Sequence, residues 1–226
     1  MRLARPVESM SRRKALACHG FLIDDRYSSK VVVASLDQRN NTGMGSLKSH
    51  LLLAAPQLPD TNFFRTVVLM LSHDSEGALG IVLNRPTDQV FDEIWSQFTG
   101  KPCECPVVIN WGGPVNGPPI AINDNAAIGE VEILPQVFMA TAQDNIDFLV
   151  SNVPDNLKLY CGYAGWAPNQ LEREIEVGGW LITEAHPSHI FAGEEDLWKV
   201  VASEIGNSVM FGDHEKPRTK SDPSLN

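Results

Sequence analysis

TVVLMLSHDSEGALGIVLNRP, residues 66–86, decides the fold. The runs 66–72 and 79–84 are apolar and rich in β-branched residues, with no polar residue at every second place. That pattern suits central strands covered on both faces. Between them, 73–78 holds four polar side chains and Gly77. The pair therefore reads as a hairpin closed by a short loop.

Working outward, 51–55 is a short apolar run stopped by Pro56, hence a further strand. After Pro86 the period changes. Val90, Phe91, Ile94, Trp95 and Phe98 recur at helical spacing, with Thr87 or Asp88 as N-cap and Gly100 as the stop. The runs 107–110 and 119–122 flank WGGPVNGP, an irregular crossing. Residues 131–140 are strand-like and broken at Pro135. A short helix carrying Ile146, Leu149 and Val150 follows, with Thr141 placed to cap it. Leu157, Leu159, Cys161 and Tyr163 alternate along one strand face. Pro168 suits a first helical position, with Leu171 and Ile175 inward and Gly178-Gly179 as the stop. Residues 180–183 form another strand, and Leu197, Trp198, Val201, Ala202 and Ile205 a last helical stripe ended by Gly206. Strands follow one another directly, which implies antiparallel pairing and an α+β class.

The chain has 226 residues, 43% hydrophobic and 20% charged, as expected of one globular domain. Its longest apolar runs are far short of the ~20 residues that span a bilayer. The net charge of −10 argues against a broad nucleic-acid surface. Residues 1–43 differ, with eight Lys or Arg against four acids, a net +4 that leaves −14 for the rest. They read as an extension, disordered or upstream of a start at Met44. Residues 44–212 read as the folded domain, and 213–226 as a disordered tail. Four cysteines do not form a disulfide framework, so a cytoplasmic setting is the natural expectation.

Each chemical candidate has a structural alternative. His73, at a strand end beside Asp74 and Glu76, is the candidate base, or a residue that ties down the loop. Asn84 could turn the chain and Arg85 clamp an anion, or Arg85 could pair internally. The amides of Gly112 and Gly113 could cradle an anion, or the glycines could permit close backbone contact. Tyr163, Trp166, Gln170 and Glu172 could line a pocket, or pack the strand and helix they sit on. Cys103 and Cys105 have one residue between them, too few for a usual zinc pair, and read as an incidental solvent-facing pair. His186 and His189 are interrupted by Pro187. No metal ligand set, cofactor motif or completed catalytic set is present.

The segments SHLLLAAPQLPDTNFFRTVVLMLSHDSEGALGIVLNRP, WGGPV, GYAGWAPNQLEREI and GGWL, in that order, resemble the AlgH/YqgE family of small bacterial proteins. The resemblance spans about 47–206. It implies one compact α+β domain with a bent, barrel-like, largely antiparallel sheet and packed helices. The family carries a transcriptional-regulator label without an established reaction. Its recurrent positions fall here on Phe64, His73, Gly77, Ala78, Gly80, Asn84, Pro86, Gly112, Gly113, Pro114, Gly162, Tyr163, Trp166, Gln170, Leu171, Glu172 and Trp180. Asn169 departs from the family's glycine, but Asn tolerates the left-handed conformation.

Two readings follow. One is a non-enzymatic binding or regulatory module working through a protein or small-molecule partner, not through direct DNA binding. The other is a hydrolase- or transferase-like enzyme with His73 as base and Arg85 and Gly112-Gly113 holding an anion. The second requires those groups to meet in one concavity.

Overall fold

The computed structural model describes residues 45–58, 60–100, 105–191 and 196–211, with the expected hairpin at its centre. The expectations for 1–43, for 213–226 and for Cys103 lie outside the described residues. In chain order the strands are β1 (His50–Ala54), β2 (Val67–Asp74), β3 (Gly77–Val82), β4 (Pro86–Val90), β5 (Val108–Trp111) and β6 (Ile120–Asn123). They continue as β7 (Val131–Leu134), β8 (Val137–Ala140), β9 (Leu157–Cys161), β10 (Ala164–Trp166) and β11 (Trp180–Glu184). The helices are α1 (Phe91–Thr99), α2 (Gln143–Asn152), α3 (Gln170–Glu176), α4 (Pro187–Phe191) and α5 (Leu197–Phe211).

β2 and β3 pair antiparallel across the two-residue loop Ser75-Glu76, with Asp74 opposite Gly77. The Asp74 carboxylate accepts the Glu76 N–H at 2.8 Å, and Gly77 takes φ +133°. A side chain at Gly77 would run into the Trp166 carbonyl. The strands reach further toward the loop than their apolar runs, because this turn needs only two residues.

The strands form two bent, open sheets where the sequence suggested one barrel-like sheet. The first has order β10-β3-β2-β1-β11, all antiparallel. The second has order β4-β5-β9-β6-β8-β7, with only the β5–β9 pair parallel. Period-2 alternation divides their side chains among three cores. Leu51, Leu53, Val67, Leu69, Leu71 and Ile81 face Ile120, Ile122, Val137, Met139 and Tyr160 of the second sheet. The stripe on α5 packs against that same core. On the opposite face of the first sheet, Leu52, Val68, Met70 and Val82 meet Trp166, Leu171 and Trp180. The outer face of the second sheet is covered by Phe91, Ile94 and Trp95 of α1 and Ile146, Leu149 and Val150 of α2. Each fully buried leucine in these layers contributes about 2 kcal/mol.

Beyond the sheet count, four expectations about β4 and α1, α5, Tyr163 and α2 need correction here. Residues 86–90 form edge strand β4, so Pro86 opens a strand and α1 starts only at Phe91; Val90 is its N-cap, without a side-chain cap. The helical spacing was real, but an edge strand accepts the proline that a helix was expected to follow. Gly100 does end α1, at φ 72°. Gly206 does not end α5, which continues to Phe211. Tyr163 leaves the face of Leu159 and Cys161, because Gly162 at φ 76° redirects the chain.

The fourth correction concerns α2. Thr141 does not cap it; its N-cap is Ala142, with no side-chain bond. Glu130 does the work from elsewhere in the chain. Its carboxylate accepts the N–H groups of Thr141 and Ala142, the Thr141 hydroxyl and the Asn145 amide, all at 2.7–3.0 Å. Burial alone would raise its pKa, but these bonds together outweigh it and hold Glu130 below its ordinary value. A group depressed in the folded state contributes stability above its unfolded pKa and loses it as pH falls through the folded one. Glu130→Gln is expected to remove about 1–2 kcal/mol at neutral pH, a figure kept low because the carboxylate is partly in water. The difference from wild type should shrink below about pH 4. Urea denaturation of both proteins across that range checks it.

Candidate functional site

His73 sits at the hairpin end of β2 and is 3% exposed. Its Nδ1 accepts the Leu47 N–H at 3.0 Å. An accepting Nδ1 carries no proton, so the neutral ring carries its proton on Nε2 and donates it to Glu172 Oε1, 3.0 Å away. The Ser46 hydroxyl also donates to the His73 carbonyl at 2.9 Å, and Ser49 N to the Met70 carbonyl at 3.0 Å. One imidazole thus ties the strap over 46–49 to the ribbon on one side and α3 on the other.

α3 holds this end together through its polar side chains. Pro168 is not its first residue as expected but lies in the turn before it: α3 starts at Gln170 from the N-cap Asn169, which takes φ 58° and ψ 11°, the left-handed turn expected of asparagine at that position. Glu174 Oε2 accepts the indole N–H groups of both Trp166 (3.0 Å) and Trp180 (2.8 Å). Its Oε1 accepts from Gln170 Nε2, whose own Oε1 accepts the Ala167 N–H. The two indoles and Phe63 form an aromatic cluster with centroids 5.3–6.2 Å apart. Asn169→Gly is expected to be neutral or to stabilise by up to about 1 kcal/mol, and Asn169→Val to destabilise by about 1–2 kcal/mol. Thermal unfolding of the two variants checks the order.

Asn84 and Arg85 lie at the other end of the ribbon, six residues along β2, or about 20 Å. Asn84 accepts the Val67 N–H at 2.9 Å and donates to the Arg65 carbonyl at 2.9 Å. Arg85 donates to the carbonyls of Asn84 and Phe64. Burial pushes its pKa down from the ordinary arginine value while Asp196 pushes it back up. Beside it, the Arg65 guanidinium lies 5.7 Å from the Phe64 ring and 5.3 Å from that of Trp198. Arg65, Trp198 and Asp196 were not singled out as binding residues in the sequence. The only hint at Trp198 was its place on the last helical stripe.

Gly112 and Gly113 connect the two sheets. Gly112 donates to the Cys161 carbonyl and accepts the Val82 N–H, both at 2.8 Å. Tyr163 and Val115 exchange main-chain hydrogen bonds at 2.9 and 3.0 Å. A side chain at Gly113 would overlap the Tyr163 carbonyl, so close backbone approach explains this glycine.

The structure therefore brings His73, Trp166, Gln170 and Glu172 together at one end. Asn84 and Arg85 are at the other, with Gly112, Gly113 and Tyr163 along the β10 edge between. Cys105 is 1% exposed and part of the α1–α2 core, which corrects the solvent-facing expectation for it. His189 repeats the pattern of His73, with Nδ1 accepting the His186 N–H and Nε2 bonded to Glu204, both at 3.0 Å. Among the described residues no group of three His, Cys, Asp or Glu could hold a metal ion. Among the same residues no helix is long and apolar enough to cross a membrane.

The model of the DUF179 family, described as AlgH-like, matches residues 51–210. The chain belongs to the AlgH-like family. Curated relatives of the AlgH-like protein bear UPF0301 names. One from Streptomyces coelicolor is 36% identical over 198 residues, covering 82% of this chain and 98% of its own. One from Myxococcus xanthus is 36% identical over 170 residues, covering 72% and 93%. The solution structure of AlgH from Pseudomonas aeruginosa is similar at TM-score 0.63 and 28% identity, covering 79% of this chain and all of that one. A crystal structure of a Corynebacterium diphtheriae protein shares the fold at TM-score 0.59 and 24% identity, covering 76% and 92%.

Proposed function

We propose that this AlgH-like protein is a non-enzymatic binding module of the cytoplasm that acts in regulation through a protein or small-molecule partner. The observation that carries this reading is the engagement of His73. A general base needs a lone pair within reach of its substrate. In His73 the Nδ1 lone pair takes the Leu47 N–H and the Nε2 proton goes to Glu172, both inside the fold. The hydrolase- or transferase-like alternative also needs His73, Arg85 and the Gly112-Gly113 turn in one concavity, and they are strung along the ribbon. Direct DNA binding has no part in the proposal, given the net charge of −10.

A partner that binds only the folded state raises its stability by mass action, by about 2.7 kcal/mol at a hundredfold excess over Kd. Thermal unfolding of the purified full chain against pools of cellular small molecules and candidate proteins should therefore reveal a saturable shift without turnover. A reaction abolished by His73→Gln in protein that stays folded would overturn the proposal. A sequence-preferring DNA gel shift at physiological salt would do the same.

A further inference from the structure

The segment 46–49 crosses the hairpin end of the ribbon as a strap, and hydrogen bonds fasten it to both sheets. The Leu47 N–H donates to His73 Nδ1 at 3.0 Å, and the Ser46 hydroxyl to the His73 carbonyl at 2.9 Å. The Ser49 hydroxyl donates to the Ile133 carbonyl of β7 at 2.5 Å. Ser49 does so at φ 67°, a left-handed conformation that is unfavourable for a residue with a side chain. Leu47 is buried in the core that holds Met70, Ala78 and Leu171.

Of these fastenings, the one at Nδ1 depends on charge. A neutral imidazole with its proton on Nε2 accepts at Nδ1, whereas an imidazolium donates from both nitrogens. On proton uptake the Leu47 N–H would face a second N–H, with the His73 side chain fully buried. Glu172 on α3 accepts from Nε2 in either state and holds the charged ring more strongly. The other charged side chains near it in the chain are Asp74 and Glu76 of the same hairpin and Lys48 of the strap. His50, at the start of β1, meets the Lys48 carbonyl through Nδ1 at 3.0 Å. A carbonyl only accepts, so that ring donates in both charge states and its bond survives protonation.

We propose that His73 is a proton-operated latch on this strap. Uptake of one proton breaks the Leu47–Nδ1 bond and frees 46–49 from the hairpin, while the ring stays paired with Glu172. The closed strap requires the neutral ring and so binds one proton fewer than the open strap; falling pH therefore favours opening. Opening withdraws Leu47 from its core. The latch is a property of the fold and does not depend on the binding-module reading.

Amide hydrogen exchange of the full chain, read by NMR as protection factors at about pH 7.5 and about pH 5, tests the latch. Both conditions lie above the ordinary carboxylate range, so histidine charge is what changes between them. Protection at the Leu47 amide should fall on the order of tenfold, and that at Ser49 with it. Leu69 and Ile120, inside the two sheets, should keep theirs. His73→Asn places an amide oxygen where Nδ1 stood, an acceptor that does not titrate, and should leave Leu47 equally protected at both pH values. Glu172→Gln keeps an acceptor for Nε2 but removes the charge that holds the imidazolium. It should move the loss by about one pH unit toward acid, and it carries the test if the asparagine variant fails to fold. Equal protection of Leu47 at both pH values in the unaltered chain overturns the latch. So does a loss that persists in His73→Asn, one that Glu172→Gln leaves in place, or one that Leu69 and Ile120 share.

Discussion

Replacing Glu174 with alanine is expected to destabilise the protein by about 3–4 kcal/mol. One carboxylate oxygen accepts two indole N–H groups, from Trp166 and Trp180, and both rings are buried. Each hydrogen bond to a charged acceptor contributes about 1.5–3 kcal/mol, and a buried donor left without one loses its desolvation compensation as well. Glu174→Gln keeps one acceptor oxygen and should recover roughly half of the loss. Urea denaturation followed by tryptophan fluorescence measures both variants. A loss under about 1 kcal/mol for the alanine variant would mean that water replaces the carboxylate, and that α3 does not hold the indoles in place.

Gly113→Ala should destabilise by about 3 kcal/mol or more. The added carbon overlaps the carbonyl of Tyr163, so main chain meets main chain and no rotamer change can relieve it. The Val115–Tyr163 bridge should open, which hydrogen exchange at those two amides would detect. Gly206→Ala is the control. It lies in α5, where an added carbon meets nothing within 4 Å, and should stabilise by up to about 1 kcal/mol. Near-native stability of the Gly113 variant would show that the second sheet gives way easily at the crossing.

The ribbon was legible because burial on both faces leaves a mark on every residue from Val67 to Leu71 and from Ile81 to Leu83. Asn169 was legible for a similarly local reason, since its backbone angle is a property of one residue. Partners distant in the chain left no such mark. Leu47 lies 26 residues from His73 and Glu172 lies 99 away, yet those two groups define what the imidazole does. Glu130 reaches the start of α2 across a hairpin, and Thr141 looked like the cap because it stands where a local cap would stand. β4 was hidden by the helical spacing that begins at its last residue. Arg85, between β3 and β4, donates to the carbonyl of Phe64 21 residues earlier, and only the folded chain brings the two together.

His73 is therefore a tie between the strap over 46–49, the ribbon and α3, with its proton on Nε2. Nitrogen NMR of the imidazole in the full chain at neutral pH tests this directly. The expected spectrum is that of a neutral ring protonated at Nε2, with a coupling across the hydrogen bond from the Leu47 amide to Nδ1. A ring protonated at Nδ1, or one that exchanges its proton freely with solvent while the protein remains folded, would contradict it.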